Sequence, residues 1–223
     1  MKIIELDGHP LLGNALTILR NKKSSGGEFR NAANIVSKFL AIETARDILP
    51  VREVKIETLV GQTTGTVIDD SKKIILVPIL RSGLAMLPML QEVIPNYDIG
   101  FVGQKRDEAT AEPKEYYCNI PVNHGSPDVY RVVILDPMIA TGGSAAATIK
   151  LLVEKYKIPQ EIIYLVAIVA APEGLELLSE TFSQVTVLIA ARDERLNAKK
   201  FIVPGFGDFG DRFFGSEKPK EVI

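Results

Sequence analysis

The spacing of apolar positions changes twice along the chain. In the first stretch, LLGNALTILRN is followed, after Ser25, Gly26 and Gly27, by EFRNAANIVSKFLAIETARDIL, where Phe29, Ala33, Val36, Leu40 and Thr44 recur at helical spacing. This predicts a helical region over about residues 10–48. Next, VREVKIETLVGQTTGTVIDD alternates apolar with polar residues around Gly-Gln-Thr-Thr-Gly, the pattern of a half-exposed β-hairpin over about residues 51–70. From Lys73 onward, short apolar runs alternate with helix-length segments: IILVPIL then GLAMLPMLQEV, YDIGFVG, RVVILD then SAAATIKLLVEKY, EIIYLVAIVA then EGLELLSE, and QVTVLIAA. That rhythm predicts an α/β fold with a central parallel sheet flanked by helices.

Sheets of this kind bind ligands in the loops beyond the carboxyl ends of their strands, so chemistry is sought there. The apolar runs are bounded by polar or turn residues and fall short of a membrane span. With 223 residues and 46% hydrophobic content, a sizeable core in one domain is expected, with its strand–helix part over about residues 73–190. Charge is nearly balanced, 26 basic against 28 acidic residues for a net of -2, so broad attraction to nucleic acid or an anionic membrane is not expected. Cys118 is alone, which excludes an intramolecular disulfide and a cysteine-cluster metal site. Together with charges and a proline in MKIIELDGHPLLG, where a signal peptide needs an apolar run, it predicts a cytoplasmic protein.

Gly205, Gly207 and Gly210 in PGFGDFGDRFFG match G-x-G-x-x-G, which would suggest a dinucleotide-dependent oxidoreductase. The match lacks the βαβ unit that gives the fingerprint its function: only DRFFGSEKPKEVI follows. A stronger constellation is YRVVILDPMIATGGSAAATIKLLVE, an apolar strand ending at Asp136, a small-residue turn, then an alanine-rich helix. Small residues let backbone N–H groups approach an anion, and a helix opening near Gly143 or Ser144 adds its amino-terminal partial charge. Thr141 and Ser144 add hydroxyl donors, while no lysine follows the glycines, so this is not the P-loop of nucleotide triphosphatases. Asp136, beside the cradle, is placed to accept hydrogen bonds from sugar hydroxyls. Taken alone, the turn reads first as a helix cap with glycines easing a tight bend.

The same run resembles the phosphoribosyl pyrophosphate motif of type I phosphoribosyltransferases, and DPM-x-ATGGS resembles its uracil phosphoribosyltransferase branch, which has Asp136-Pro137 where the general motif has paired acids. Further similarities follow in order: HPL at His9, LR at Leu19, EFR at Glu28, E-x-x-RD from Glu43 to Asp47, ILRSG ending at Gly83, GQKRDEATAEPKEYY from Gly103, DERLN from Asp193 and IVPGFGDFGDRFFG from Ile202. They cover essentially the whole chain. The resemblance implies transfer of ribose 5-phosphate from phosphoribosyl pyrophosphate to N1 of uracil, giving uridine monophosphate and diphosphate. It also implies a carboxyl-terminal hood over the base, near residues 192–216, and a protruding hairpin.

By the same resemblance, Asp136, Pro137, Met138, Ile139, Ala140, Thr141, Gly142, Gly143 and Ser144 hold the ribose 5-phosphate, and Arg81 and Arg106 hold diphosphate oxygens. The Leu80–Arg81 peptide is expected to be cis. Met138, Ala140, Phe201, Ile202, Gly207, Asp208 and Phe209 line the uracil pocket, with the main chain at Ile202, Gly207 and Phe209 reading the base edge. Catalysis would rest on Arg81, Arg106, Asp136 and Asp208. Magnesium is implied as cofactor, carried mostly by the diphosphate, with Asp208 its nearest protein carboxylate, reaching it directly or through water. Lys105 and residues 107–110 suggest a flap.

The cluster Arg20, Lys22, Lys23 and Arg30 reads as a solvated helix face, or as a site for an allosteric purine nucleotide such as GTP, which activates some relatives. His9 and His124 read as structural residues, and Cys118 as a packed one. Relatives form homodimers or larger assemblies such as homotetramers, so self-association through the hairpin is expected. One departure stands out: Lys200-Phe201 occupies the place of the family's usual Gly-Tyr. The competing reading is a nucleotide-sensing or RNA-binding regulator on the same fold.

Overall fold

The computed structural model describes residues 1–106, 113–122 and 130–215. In chain order the elements are β1 (Lys2–Glu5), α1 (Pro10–Arg20), α2 (Gly26–Ile48), β2 (Val51–Thr58), β3 (Gly61–Ile68), β4 (Ile74–Leu80), α3 (Leu87–Val93), β5 (Asp98–Ile99), β6 (Phe101–Arg106) and β7 (Pro113–Asn119). They continue with β8 (Arg131–Leu135), β9 (Met138–Ile139), α4 (Gly143–Glu154), β10 (Ile163–Ala170), α5 (Pro172–Thr181), β11 (Thr186–Arg192), β12 (Arg195–Leu196), β13 (Ile202–Val203) and α6 (Phe209–Phe214).

The main sheet runs β1-β11-β10-β8-β4-β6-β7, with β5 beside β4 and β9 beside β10. Every pair is parallel except β6 with β7, an antiparallel edge that the strand–helix rhythm did not predict. Strand side chains alternate between two cores. Leu76, Val133, Val166 and Leu188 pack under α1, α2 and α3, whereas Ile75, Ile134, Leu165 and Ile189 face α4 and α5. All of β10 is buried, as its unbroken apolar run requires of a central parallel strand. Each large side chain so enclosed contributes roughly 1.5–3 kcal/mol.

Local chemistry sets the helix boundaries. Ser25 and Glu28 form a reciprocal capping box at the start of α2, satisfying two otherwise orphaned donors. His9 caps α1 by accepting from the Leu11 N–H at 3.2 Å, and its ring meets Phe39 at 4.5 Å, a structural role for that histidine. The segment GLAMLPMLQEV is not one helix: Ser82–Ala85 forms a 3₁₀ turn and α3 starts only at Leu87, with Pro88 in its first turn, where no N–H is needed.

The hairpin turn also differs from expectation. Strand β3 already begins at Gly61, and pairing runs without a break from Val51↔Ile68 to Thr58↔Gly61, so the turn is Leu59-Val60. Thr58 closes it, its hydroxyl donating to the Gly61 carbonyl at 2.9 Å and accepting from the Val60 N–H at 3.3 Å. These strands pair only with each other, and Val51, Ile56, Leu59 and Val60 are exposed.

The loop between β12 and β13 is built around Asn197, whose Oδ1 accepts from the N–H groups of Lys199 at 2.9 Å and Phe201 at 3.0 Å. Lys200 there adopts φ 65°, the left-handed region in which a β-carbon is unfavourable. This gives a backbone reason for the glycine that the family resemblance leads one to expect at this place. Lys200→Gly is expected to stabilise the fold by up to about 1 kcal/mol, strain relief outweighing the added flexibility of the unfolded chain. Urea denaturation measures it, and a loss of stability would contradict the strain.

Candidate active site

Strands β4 and β8 are parallel neighbours with Pro78 opposite Leu135, so the residues that follow them, Arg81 and Asp136, emerge side by side at one edge of the sheet. The turn after β4 sits directly on the end of β8: a β-carbon on Gly83 would lie 2.2 Å from the Leu135 carbonyl oxygen. The Leu80–Arg81 peptide is cis, as the resemblance implies, and Val203–Pro204 is cis as well. Arg81 is exposed, and its guanidinium has no hydrogen bond or ion pair among the described residues. Arg106 ends β6 at the same edge. Its side chain, that of Lys105, residues 107–110 and His124 lie outside what is described.

Beyond β8 the chain forms a cradle lined by Asp136, Met138, Ile139, Ala140, Thr141, Gly142, Gly143, Ser144 and Ala145, enclosing about 50 Å³. Gly142 is the N-cap of α4 with φ 77°, and it offers no side-chain acceptor. Helices α1, α2 and α6 have side-chain caps, whereas α3 and α5, like α4, do not. The first-turn N–H groups of α4 are therefore left facing the cradle, together with the positive end of the helix dipole, an arrangement suited to a phosphate.

A residue the sequence reading passed over shapes this turn. A β-carbon on Gly174, in the first turn of α5, would lie 2.4 Å from the Ala140 carbonyl oxygen, and one on Gly142 would lie 2.8 Å from the Gly174 carbonyl oxygen. Nothing in EGLELLSE signals that contact, which arises only when α5 packs on the turn. The neighbouring Glu173 accepts from the Leu196 N–H at 2.8 Å and so ties the same helix end to β12.

Asp136 keeps a little accessible surface, but packed atoms surround its carboxyl closely. Desolvation pushes its pKa up to about 7, against a smaller downward pull from the Met138 N–H. A larger concavity, about 110 Å³, opens at the amino end of β4 between Asp70–Ile74 and Asn96–Asp98. It is spanned by the Lys73–Asp98 ion pair at 2.8 Å and none of its lining residues belongs to a helix, so the smaller cradle is the better candidate.

The segment from Ile202 to Phe214 closes over the Arg81 turn, where a β-carbon on Gly210 would lie 3.2 Å from Ser82 Oγ. Phe206 and Phe209 are buried and pack around the ring of Phe29, at centroid distances of 6.0 and 5.5 Å. Arg212 lies over the same ring and donates to the carbonyls of Leu19 at 2.6 Å, Phe206 at 2.8 Å and Asn21 at 2.9 Å. Gly207, at φ 79°, makes no hydrogen bond among the described residues, so its peptide groups are open to a ligand edge. Met138, Ala140 and Phe201 are half-buried, Ile202 is buried, and Asp208 is exposed.

Asp208 caps α6, its Oδ1 accepting from the Asp211 N–H at 2.9 Å, which leaves Oδ2 for another partner. No group of three acidic, histidine or cysteine side chains suited to a metal occurs among the described residues. The basic cluster divides: Lys22, Lys23 and Arg30 are exposed, but Arg20 is not on a free solvated face, because its guanidinium pairs with the buried Asp193. Cys118 is half-buried, its sulfur 3.3 Å from the Tyr156 hydroxyl. No described helix is long and apolar enough to cross a membrane.

A flanked parallel sheet with a phosphate-type turn after one strand and an arginine turn after its neighbour defines the type I phosphoribosyltransferase class. An adenine phosphoribosyltransferase from Trypanosoma brucei shares the fold, at a TM-score of 0.55 and 13% identity over 99% of this chain and 92% of that one. The family model for uracil phosphoribosyltransferase matches residues 6–216, and the chain belongs to that family. It is 41% identical to a uracil phosphoribosyltransferase of Malacoplasma penetrans over 94% of this chain and 97% of that protein. Against one from Halalkalibacterium halodurans it is 42% identical over 94% and 96%. The solved structure of the AQ2163 protein from Aquifex aeolicus superposes with a TM-score of 0.82 and 35% identity, covering 96% of this chain and 99% of that one.

Two outcomes test the geometry. Gly174→Ala is expected to displace the cradle turn, weakening binding of a phosphate-bearing ligand about tenfold or more by calorimetry while the fold persists; unchanged affinity would refute the contact. Because burial raises Asp136 above its unfolded value of 3.8, the folded chain holds this proton between about pH 4 and pH 7. The stability it lends is full below that window and lost as pH rises through about 7. Ligand-free Asp136→Asn should then be more stable than the parent at pH 8, by on the order of 1–4 kcal/mol, and the difference should vanish toward pH 4.

Proposed function

We propose that this chain transfers ribose 5-phosphate from phosphoribosyl pyrophosphate to N1 of uracil, forming uridine monophosphate and diphosphate. The observation that carries this reading is the uncapped first turn of α4 beside Asp136, together with an open Gly207 peptide in the segment that covers the Arg81 turn, in a chain of the uracil phosphoribosyltransferase family. In the reaction the C1–O bond to diphosphate breaks, the C1–N1 bond forms, and the N1 proton leaves. The sugar passes through a state of oxocarbenium character, so no covalent nucleophile is needed and positioning with charge stabilisation suffices.

The backbone and hydroxyls of Ala140 to Ser144 hold the 5-phosphate, and Asp136 accepts from the ribose hydroxyls, with Pro137, Met138 and Ile139 shaping the approach. Arg81 and Arg106 neutralise the departing diphosphate through charge-assisted hydrogen bonds. Main-chain groups of Ile202, Gly207 and Phe209 read the N3–H and carbonyls of uracil, with Met138, Ala140 and Phe201 as walls. Cytosine is refused because its amino group and unprotonated N3 leave buried partners unpaired. Magnesium would supply further charge on the diphosphate, and Asp208, whose Oδ2 is not used in capping α6, is the carboxylate that would reach an ion carried mainly by substrate oxygens.

Self-association through the exposed apolar hairpin, as a homodimer or homotetramer, a cytoplasmic location, and GTP as an effector near Lys22 and Arg30 belong to the same proposal. Labelled uracil with phosphoribosyl pyrophosphate and magnesium should yield uridine monophosphate, with orotate, cytosine and hypoxanthine inert. Arg81→Ala should lower kcat/KM for phosphoribosyl pyrophosphate roughly 10²–10³-fold. Absence of product from uracil at saturating co-substrate would overturn the reading.

A further inference from the structure

Asp193, just past β11, has a fully buried carboxylate, and it is the hub of a contact set that joins three distant parts of the chain. Its Oδ2 accepts from Arg20 Nη1 at 3.0 Å and from the Gly205 N–H at 2.9 Å, while Oδ1 accepts from Arg20 Nη2. Arg20 Nη1 also donates to the Gly205 carbonyl at 3.2 Å. Both backbone polar groups of Gly205 are thus held by one ion pair, at a residue with φ 55° immediately before the loop proposed to read the base. Arg212 binds the same loop to the same end of α1, through Phe206 on one side and Leu19 and Asn21 on the other.

We infer that the Arg20–Asp193 ion pair is a positioning element for base selection: by gripping both peptide groups of Gly205 it sets where the Gly207 and Phe209 main chain stands. The inference rests on the proposed uracil-transferring function for its kinetic consequence, but not for the geometry of the grip. A buried carboxylate with two partners is also a point where loss of one partner leaves a charge uncompensated, so the loop should respond sharply to small changes there. Neither residue lines the phosphate cradle, so base binding and phosphate binding should separate on mutation.

The experiment compares Asp193→Asn, Arg20→Gln and Arg20→Lys with the parent chain. In Asp193→Asn and Arg20→Gln, KM for uracil is expected to rise about 10- to 100-fold and the preference for uracil over cytosine to fall, while KM for phosphoribosyl pyrophosphate stays within about twofold. Arg20→Lys, which keeps the charge but not the two-nitrogen fork that spans Asp193 and Gly205, should recover part of the loss, with a uracil KM between those of Arg20→Gln and the parent. Amide hydrogen exchange of the ligand-free proteins gives the second reading: residues 205–209 should exchange about tenfold faster or more, with strand β8 unchanged. Arg20→Gln, at the part-exposed partner, keeps the test open if Asp193→Asn does not fold. Equal rises in both KM values, or parent-like exchange at residues 205–209, would overturn the inference. A parent chain that makes no uridine monophosphate would sink the proposed function alone, since the exchange reading still decides the grip.

Discussion

Parallel pairing of β4 with β8 is the constraint on which the rest of the structure depends. In a parallel sheet every strand releases its chain at the same edge, so loops distant in sequence meet wherever their strands are neighbours. Pro78 opposite Leu135 puts the arginine turn beside the aspartate turn, and the Gly83 contact with the Leu135 carbonyl locks the two at backbone distance. The cradle at α4 then adds a dipole and free N–H groups, while Asp136 in the same lining is surrounded by packed atoms, and that desolvation raises its pKa.

Around this edge the fold adds braces of a different chemical kind. Helix α5 touches the cradle through the Gly174 backbone and the hood through the Glu173 carboxylate. Helix α1 reaches the hood through Arg20 and through carbonyls that accept from Arg212. The turn proposed to hold phosphate is therefore set by close backbone packing, and the segment proposed to read the base by buried charge–backbone hydrogen bonds. Errors in the first are steric and abrupt, whereas the second depends on every partner of a desolvated carboxylate being present.

Much of this was legible beforehand. The helices of the first third follow from 3.6-residue spacing, the central strands from short unbroken apolar runs, and the α4 cradle from a strand, small residues and a helix in that order. Each failure has an identifiable cause. GLAMLPMLQEV reads as one helix by hydrophobicity, yet Pro88 can occupy only a first turn, so the helix starts late. The hairpin turn was assigned to the glycines, but cross-strand register moved it to Leu59-Val60, because pairing of the full strands outweighs turn propensity. Arg20 looks like any solvated cation at a helix end, and nothing in its neighbourhood announces a carboxylate 173 positions away.

The sequence by itself determined the element types, the strand-end chemistry and the family, because each rests on residues adjacent along the chain: periodicity, caps and short motifs. Tertiary structure alone decided which cations are free and which are committed, which glycines are needed for contact rather than for a bend, and how strongly Asp136 is desolvated. Those properties depend on what packs against a group from elsewhere in the chain. A linear pattern records what a residue can do, and only the packed neighbours decide which of those possibilities remains.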